Sequence, residues 1–476
     1  MDDLMNRDAL ELSSMLETRA ISAAELMQAT LDQIDAVNPG INAVVSLRDP
    51  DALLAEAKAA DNTPRTGWLH GIPLAVKDLA DVAGIPTSMG SPAFADFVPK
   101  ADCGVVARMR AAGGLFIGKT NTPEFGLGSH TFNPVHGATL NPYDATRTVG
   151  GSSGGAAAAL AARMIAVTDG SDMMGSLRNP AGWCNVYGMR PSWGRVPADP
   201  VGDTFLHPLA TLGPMARSPR DMAAMLEVQA GPDPRVPFGL PKASYLTGID
   251  ADVTGRRIGY LADWGGAYAM DAGVLDLVGH AVQGFEGLGC TVEAVDAPFS
   301  AAEIWESWLT LRAFANAGRL DPLYSDPAKR KLLKPEAIWE IETGLALTPM
   351  QIQRASVIRS RWYACAADLF DTYDALVLPS AQVWPFAVEL DWPKEIAGQP
   401  MDTYHRWMEV VIPVSLIGLP AICVPAGFGA VGSPGAGLPM GMQLFGRHGD
   451  DAGLLQLAQA WHRATDWPNR MPPKLP

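Results

Sequence analysis

Gly150-Gly151-Ser152-Ser153-Gly154-Gly155-Ala156-Ala157-Ala158-Ala159-Leu160-Ala161-Ala162-Arg163-Met164-Ile165-Ala166-Val167 reads as loop, helix and strand in immediate succession. The glycine-serine cluster is a turn. Ala156 to Met164 follows as an alanine-rich helix whose small side chains permit close backbone packing. Ile165-Ala166-Val167 is a short apolar run of the kind that forms a buried strand. Leu115-Phe116-Ile117 is another such run, and Gly, Asn, Asp and Pro punctuate both. Strands alternating with helices predict an α/β sheet covered by helices. Further out, Ser22 and Glu25 form a capping-box pattern ahead of Leu26, Ala29, Leu31 and Ile34, so the first forty residues are expected to be helical. Ala301 to Phe370 is also expected to be mainly helical, with Ala375-Leu376-Val377-Leu378 a strand beyond it. Trp305, Trp308, Trp339 and Trp362 read first as core packing and only second as the wall of a small-molecule pocket.

The 476 residues carry a net charge of −15, with 48% hydrophobic and only 18% charged residues. A soluble chain usually carries about 25% charged residues, so much of this one must lie in a large interior. The acidic balance argues against a general nucleic-acid binder, which needs a basic face. Met1-Asp2-Asp3-Leu4 lacks the start of a signal peptide, and no long apolar run predicts a membrane span. Cys103, Cys184, Cys290, Cys365 and Cys423 are scattered and show no zinc spacing, which fits a reduced, cytoplasmic protein. Cys184 reads as a small buried hydrophobe. Length alone allows two or three domains.

Several motifs compete. Gly113-Gly114-Leu115-Phe116-Ile117-Gly118-Lys119-Thr120 matches the phosphate-binding loop pattern, but its interior is strand-like and Asn121-Thr122-Pro123 follows as a turn, so it reads as a strand ending in a turn. Gly150 to Gly155 contains G-x-S-x-G twice, centred on Ser152 and Ser153, without the preceding strand that a nucleophile elbow needs. Gly170-Ser171-Asp172-Met173-Met174-Gly175-Ser176 places a serine after a tight turn, where by itself it is an ordinary surface turn. Lys77 ends the apolar run Leu74-Ala75-Val76. Burial there disfavours the ammonium and makes the amine a candidate general base, whereas a snorkelling lysine is the plainer alternative.

Lys77, Ser152 and Ser176, in this order and at this spacing, resemble the amidase signature family. Gly118 to Phe125, Gly188-Met189-Arg190-Pro191, Gly213 to Ser218, Gly418-Leu419-Pro420-Ala421 and Leu438 to Leu444 extend the likeness over most of the chain. The resemblance implies one large α/β domain, residues 1–476, with a mixed central sheet flanked by helices. Its catalytic core would span about 65–225, and the mainly helical region of about 300–370 would lie on the substrate side. It implies Ser176 as nucleophile, Ser152 as the bridging serine behind a cis peptide bond, and Lys77 as base. Backbone N–H groups of Met173, Met174, Gly175 and Ser176 would hold the oxyanion. Asp172 and Arg178 would fix the shape of the loop. Phe125, Gly126 and Trp183 are candidates for the pocket wall. None of His70, His130, His136, His207, His280, His405, His448 and His462 is needed.

The chain departs from the family pattern at three positions. Met174 stands where a glycine is usual, Val149 where proline often precedes the glycine-serine run, and Ser415 where asparagine is frequent. Met174 is expected to project a long side chain and reshape the acyl pocket. The leading expectation is a hydrolase of small, fairly apolar aryl or acyl amides, or of carbamates (urethanes). The alternatives are a glutamine-hydrolysing A subunit of a tRNA-dependent amidotransferase, an α/β-hydrolase using Ser152 or Ser153 with a histidine, and a non-catalytic binding protein. No metal or organic cofactor is implied. The expected partner is a small-molecule amide or carbamate, with neither nucleic acid nor membrane, and a homodimer follows family habit.

Overall fold

Ala421–Phe428 and Pro439–Phe445 are almost continuously apolar and buried along their length, as strands covered on both faces must be. In the computed structural model, which describes residues 2–206 and 208–475, they pair antiparallel at the centre of an eight-stranded mixed sheet. On one side the sheet continues through Ala375–Pro379, Arg257–Tyr260 and Thr291–Ala294, these three being mutually parallel. On the other it continues antiparallel through Tyr187–Arg190 and Thr211–Ala216 to Val167–Asp172 at the edge. A smaller sheet of three strands places Leu115–Thr120 between Val44–Val45 and Pro73–Lys77. The α/β arrangement with a large mixed sheet flanked by helices is the one expected.

The two sheets meet where Pro73–Lys77 lies against Val167–Asp172. Thr168 Oγ1 donates to the Ala75 carbonyl at 2.6 Å, and the Lys77 N–H donates to Asp169 Oδ1 at 3.0 Å. The helix Gly154–Ala161 packs beside this junction with every residue buried. Only glycine fits at 155, because a Cβ there would run into the backbone of Asn121 and Ala43. The alanine helix thus exists, but it starts two residues earlier than the alanines and ends at Ala161. The adjoining strand is displaced as well: Ile165 and Ala166 form its approach, and it runs from Val167 through the polar Thr168, Asp169 and Ser171. Thr168 and Asp169 are buried and Ser171 half-buried against the Lys77 strand, a tertiary partnership that apolar periodicity does not register.

Ser22 caps the helix Ala23–Val37, and Glu25 closes the box. Leu115–Thr120 is a strand followed by a turn, and its Lys119 donates inward to the Ala80 carbonyl and Thr87 Oγ1. Helices Ala301–Tyr324, Pro335–Leu345 and Pro349–Leu369 fill the region expected to be helical. Trp305, Trp308 and Trp362 are core residues, whereas Trp339 is 37% exposed and packs edge-on against Tyr404. All five cysteines are free, with Cys184 fully buried. Among the described residues no helix is long and apolar enough to cross a membrane. The expectations for Met1 and His207 lie outside the described residues.

Candidate active site

Lys77 ends its strand fully buried, with its amine enclosed by three hydroxyls. Nζ lies 2.8 Å from Ser152 Oγ, 2.9 Å from Ser153 Oγ and 3.0 Å from Ser171 Oγ. Burial pulls its pKa down to about 7, against the opposing attraction of Asp169 and Asp172. The snorkelling alternative does not describe it. Ser153 and Ser171 are contacts that the sequence reading did not single out. The signal for Ser171 was present: it lies two residues from Asp169, on the same side of a strand, and both reach Lys77.

Ser152 follows a cis peptide bond to Gly151. Its position is fixed from both sides. Gly150, at φ +80°, leaves room that a side chain would take from Asn179 and Trp183, and Gly126 comes close to the Ser152 hydroxyl. Ser153 begins the Gly154–Ala161 helix, and its N–H donates to the Ser176 carbonyl at 3.2 Å. The two serine segments are therefore tied through the backbone. The Ser176 hydroxyl itself makes no hydrogen bond among the described residues, so the link from Ser152 to Ser176 is not formed.

Ser176 stands in the turn between the strand Val167–Asp172 and the short helix Asn179–Trp183. Asp172 shapes that turn. Its carboxylate accepts the N–H of Gly175 at 2.8 Å and of Leu177 at 3.1 Å, and both Nε and Nη2 of Arg178 at 3.0 Å. Arg190 adds a second guanidinium at 3.3 Å. Burial alone would raise this carboxyl, but the two arginines outweigh it and hold it well below the usual carboxylate range. The structural role expected of Asp172 and Arg178 is what the hydrogen bonds describe. Arg178 also donates to Ser415 Oγ at 2.6 Å, so the serine at this departure from the family pattern is an arginine acceptor. Val149, at another departure, is a fully buried core residue.

One expectation is corrected here. The Gly175 N–H, counted among the oxyanion donors, is committed to Asp172. The N–H groups of Met173, Met174 and Ser176 engage no acceptor among the described residues. Gly175 takes the positive φ (+78°) that shapes the turn, and Met174 keeps an ordinary backbone with its side chain buried.

Ser176 borders a narrow cavity. Met173, Met174 and Met408 supply thioether walls, Gly126 and Gly128 supply backbone, and Ser129 and Arg312 supply polar groups. Of the three wall candidates, only Gly126 is there. Phe125 turns away into a separate cluster with Leu320, Leu333 and Ala337. Trp183 is wholly buried and stacks on Trp407, ring centres 6.0 Å apart. Closeness to Ser176 in sequence misled for Trp183, because the intervening turn sends the helix into the core. Sequence reading missed Ser129, Arg312 and Met408, of which Arg312 carried a signal in its place on the helical region expected on the substrate side. Among the described residues no group of three His, Cys, Asp or Glu side chains is gathered as a metal site would be.

Comparison with known proteins identifies the family. The family model described as Amidase matches residues 25–455. The chain is 33% identical to the A subunit of the glutamyl-tRNA(Gln) amidotransferase of Chloroflexus aurantiacus, over 99% of both chains. It is also 33% identical to the acylamidase of Rhodococcus erythropolis, over 98% of this chain and 96% of that one. Among solved structures, a bacterial aryl acylamidase of the amidase signature family superposes with a TM-score of 0.90 at 29% identity, over 99% of each chain. The 6-aminohexanoate cyclic dimer hydrolase, solved with substrate, gives 0.86 at 27% identity over 99% of each chain. With its motifs, its fold and these relatives in agreement, the chain belongs to the amidase signature family and is a hydrolase acting on carbon–nitrogen bonds.

Proposed function

We propose that this protein is a serine amidase that cleaves small, fairly apolar aryl or acyl amides, and carbamates by the same chemistry, through an acyl-enzyme on Ser176. The observation that carries the reading is the buried Lys77 amine 2.8 Å from Ser152, with a pKa brought down to about 7. A neutral amine is a base; an ordinary lysine at this pH is not. Ser176 Oγ attacks the carbonyl and gives its proton to Ser152 as Ser152 passes its own to Lys77. The oxyanion is held by the N–H groups of Met173, Met174 and Ser176. Protonated Lys77 then returns a proton through Ser152 to the leaving nitrogen, and the amine departs. Water attacks the acyl-Ser176 ester through the same relay, releasing the acid and restoring the serine. Catalytic hydrogen bonds commonly tighten only with substrate in place, which accommodates the free Ser176 hydroxyl.

A second reading, glutamine hydrolysis within a tRNA-dependent amidotransferase, draws on the full-length likeness to the Chloroflexus protein. The cavity supports it less. Its guanidinium, Arg312, is already paired with Glu340 at 2.5 Å, and three methionines face it, a poor match for a ligand carrying its own carboxylate and ammonium. The test is a panel of aryl amides, aliphatic amides, an aryl carbamate and glutamine, offered to the wild type and to Ser176→Ala. Amide or carbamate turnover that vanishes in the variant is the expected result. Glutamine turnover alone favours the second reading, and amide turnover that persists in the variant removes Ser176 as nucleophile.

A further inference from the structure

The cavity beside Ser176 contains two polar groups that the reaction above does not use. Arg312 reaches it from the helix Ala301–Tyr324 and is 3% exposed. A guanidinium offers five N–H donors. Here Nε donates to Glu340 Oε1 at 2.5 Å and Nη2 to Tyr404 Oη at 2.7 Å, while Tyr404 in turn donates to Glu340 at 2.7 Å. The contact of Nη1 is Met173 Sδ at 3.4 Å, and a thioether is a weak acceptor. The cation is thus held rigidly on its far side and left under-satisfied on the side of Met173, itself a wall of the cavity. Ser129, 1% exposed, lines the same cavity, and its hydroxyl has no hydrogen-bond partner among the described residues. A buried donor without an acceptor is rare in folded proteins because it forfeits its hydration, and the Ser129 hydroxyl in that state beside an Arg312 Nη1 that meets only a thioether calls for an acceptor from the ligand.

We infer that Ser129 and Arg312 form a polar subsite that binds a second, uncharged acceptor oxygen of the substrate. This rests on the amidase reading and narrows its substrate class. The scissile carbonyl oxygen is not the one meant, since that oxygen belongs with the backbone donors of Met173, Met174 and Ser176. A carboxylate does not fit either. Glu340 is already the carboxylate on Arg312, and a second carboxylate beside it would meet like-charge repulsion. An ether, ester or ketone oxygen near the scissile group is what the two donors recognise. The preferred substrates are therefore amides or carbamates bearing such an oxygen, with thioether walls enclosing the rest.

Matched pairs test this. On the acyl side, the anilides of methoxyacetic and butyric acid have nearly the same shape and differ in one ether oxygen. On the amine side, the acetamides of p-anisidine and p-ethylaniline do the same. The wild type is expected to prefer the oxygen-bearing member of one pair by about tenfold in kcat/KM, the size of one hydrogen bond to a charged group. Ser129→Ala and Arg312→Gln are each expected to bring that ratio toward one, a readout that a purely structural role does not move. Since Arg312→Gln strands Glu340, Ser129→Ala decides alone if the arginine variant fails to fold. Ser176-dependent turnover with a wild-type ratio of one in both pairs, or a ratio undiminished in Ser129→Ala, overturns the subsite. Absence of Ser176-dependent turnover of every anilide overturns the amidase reading, and the subsite with it.

Discussion

In the proposed mechanism Lys77 must be neutral when Ser176 attacks, and its surroundings set the pH at which that holds. Its pKa lies at about 7 because burial disfavours the ammonium more than Asp169 and Asp172 favour it. The base form is the deprotonated one, so kcat/KM for an aryl amide is expected to climb as pH rises toward about 7 and to level off above it. A profile that stays flat through that range removes Lys77 as the base. Lys77→Met is expected to lower kcat/KM by about 10²–10⁴-fold, the usual contribution of a general base, while leaving circular dichroism native. At this scale the sequence was most legible in the grouping of Lys77, Ser152 and Ser176: the structure brings Lys77 to Ser152 and ties the Ser176 segment to Ser153. Gly175 was not legible, because whether its N–H faces an oxyanion or a carboxylate is decided by Asp172, three residues away and folded back beneath it. Trp183 marks the same limit, since an aromatic side chain near a nucleophile in sequence has no fixed direction until the turn between them is known.

The turn carrying Ser176 is held open by Asp172, and the element stands or falls with that carboxylate. Asp172→Asn removes the charge that balances Arg178 and Arg190, both fully buried, so it is expected to destabilise the fold by about 3–5 kcal/mol, read as a lower midpoint in urea. The Gly154–Ala161 helix makes a second demand. Gly155→Ala adds a methyl group where the helix meets the Asn121 backbone, and overpacking of that kind costs about 1–3 kcal/mol, measurable in the same denaturation. The alanine run made this helix visible in sequence, and the small residues at its start mark the close approach. The neighbouring strand was misplaced because Thr168 and Asp169 are polar yet buried and Ser171 is half-buried, each satisfied by or turned toward the Pro73–Lys77 strand. A strand whose inner face is held by hydrogen bonds leaves no apolar alternation to follow.

Across the whole molecule, the order of the eight-stranded sheet was beyond the reach of local patterns. Arg257–Tyr260, a four-residue strand, pairs with Ala375–Pro379 from more than a hundred residues away in sequence, and the equally short Thr291–Ala294 pairs on its other edge. The class was legible, and the connectivity was not. Nucleophile, relay and oxyanion donors all belong to the chain's own side chains and backbone, so dialysis against a chelator is expected to leave amide turnover unchanged, checked by steady-state rates before and after. The relay also spans an assembly boundary: Lys77 rides on the three-stranded sheet, whereas Ser171 and the turn to Ser176 belong to the edge of the eight-stranded one. The catalytic distances are therefore a caliper set across the seam between two sheets. A slip of an ångström along that seam separates base from serine while every strand remains paired. Turnover should fade in mild urea before the far-ultraviolet signal changes, making the rate itself a gauge of how firmly the two sheets grip each other.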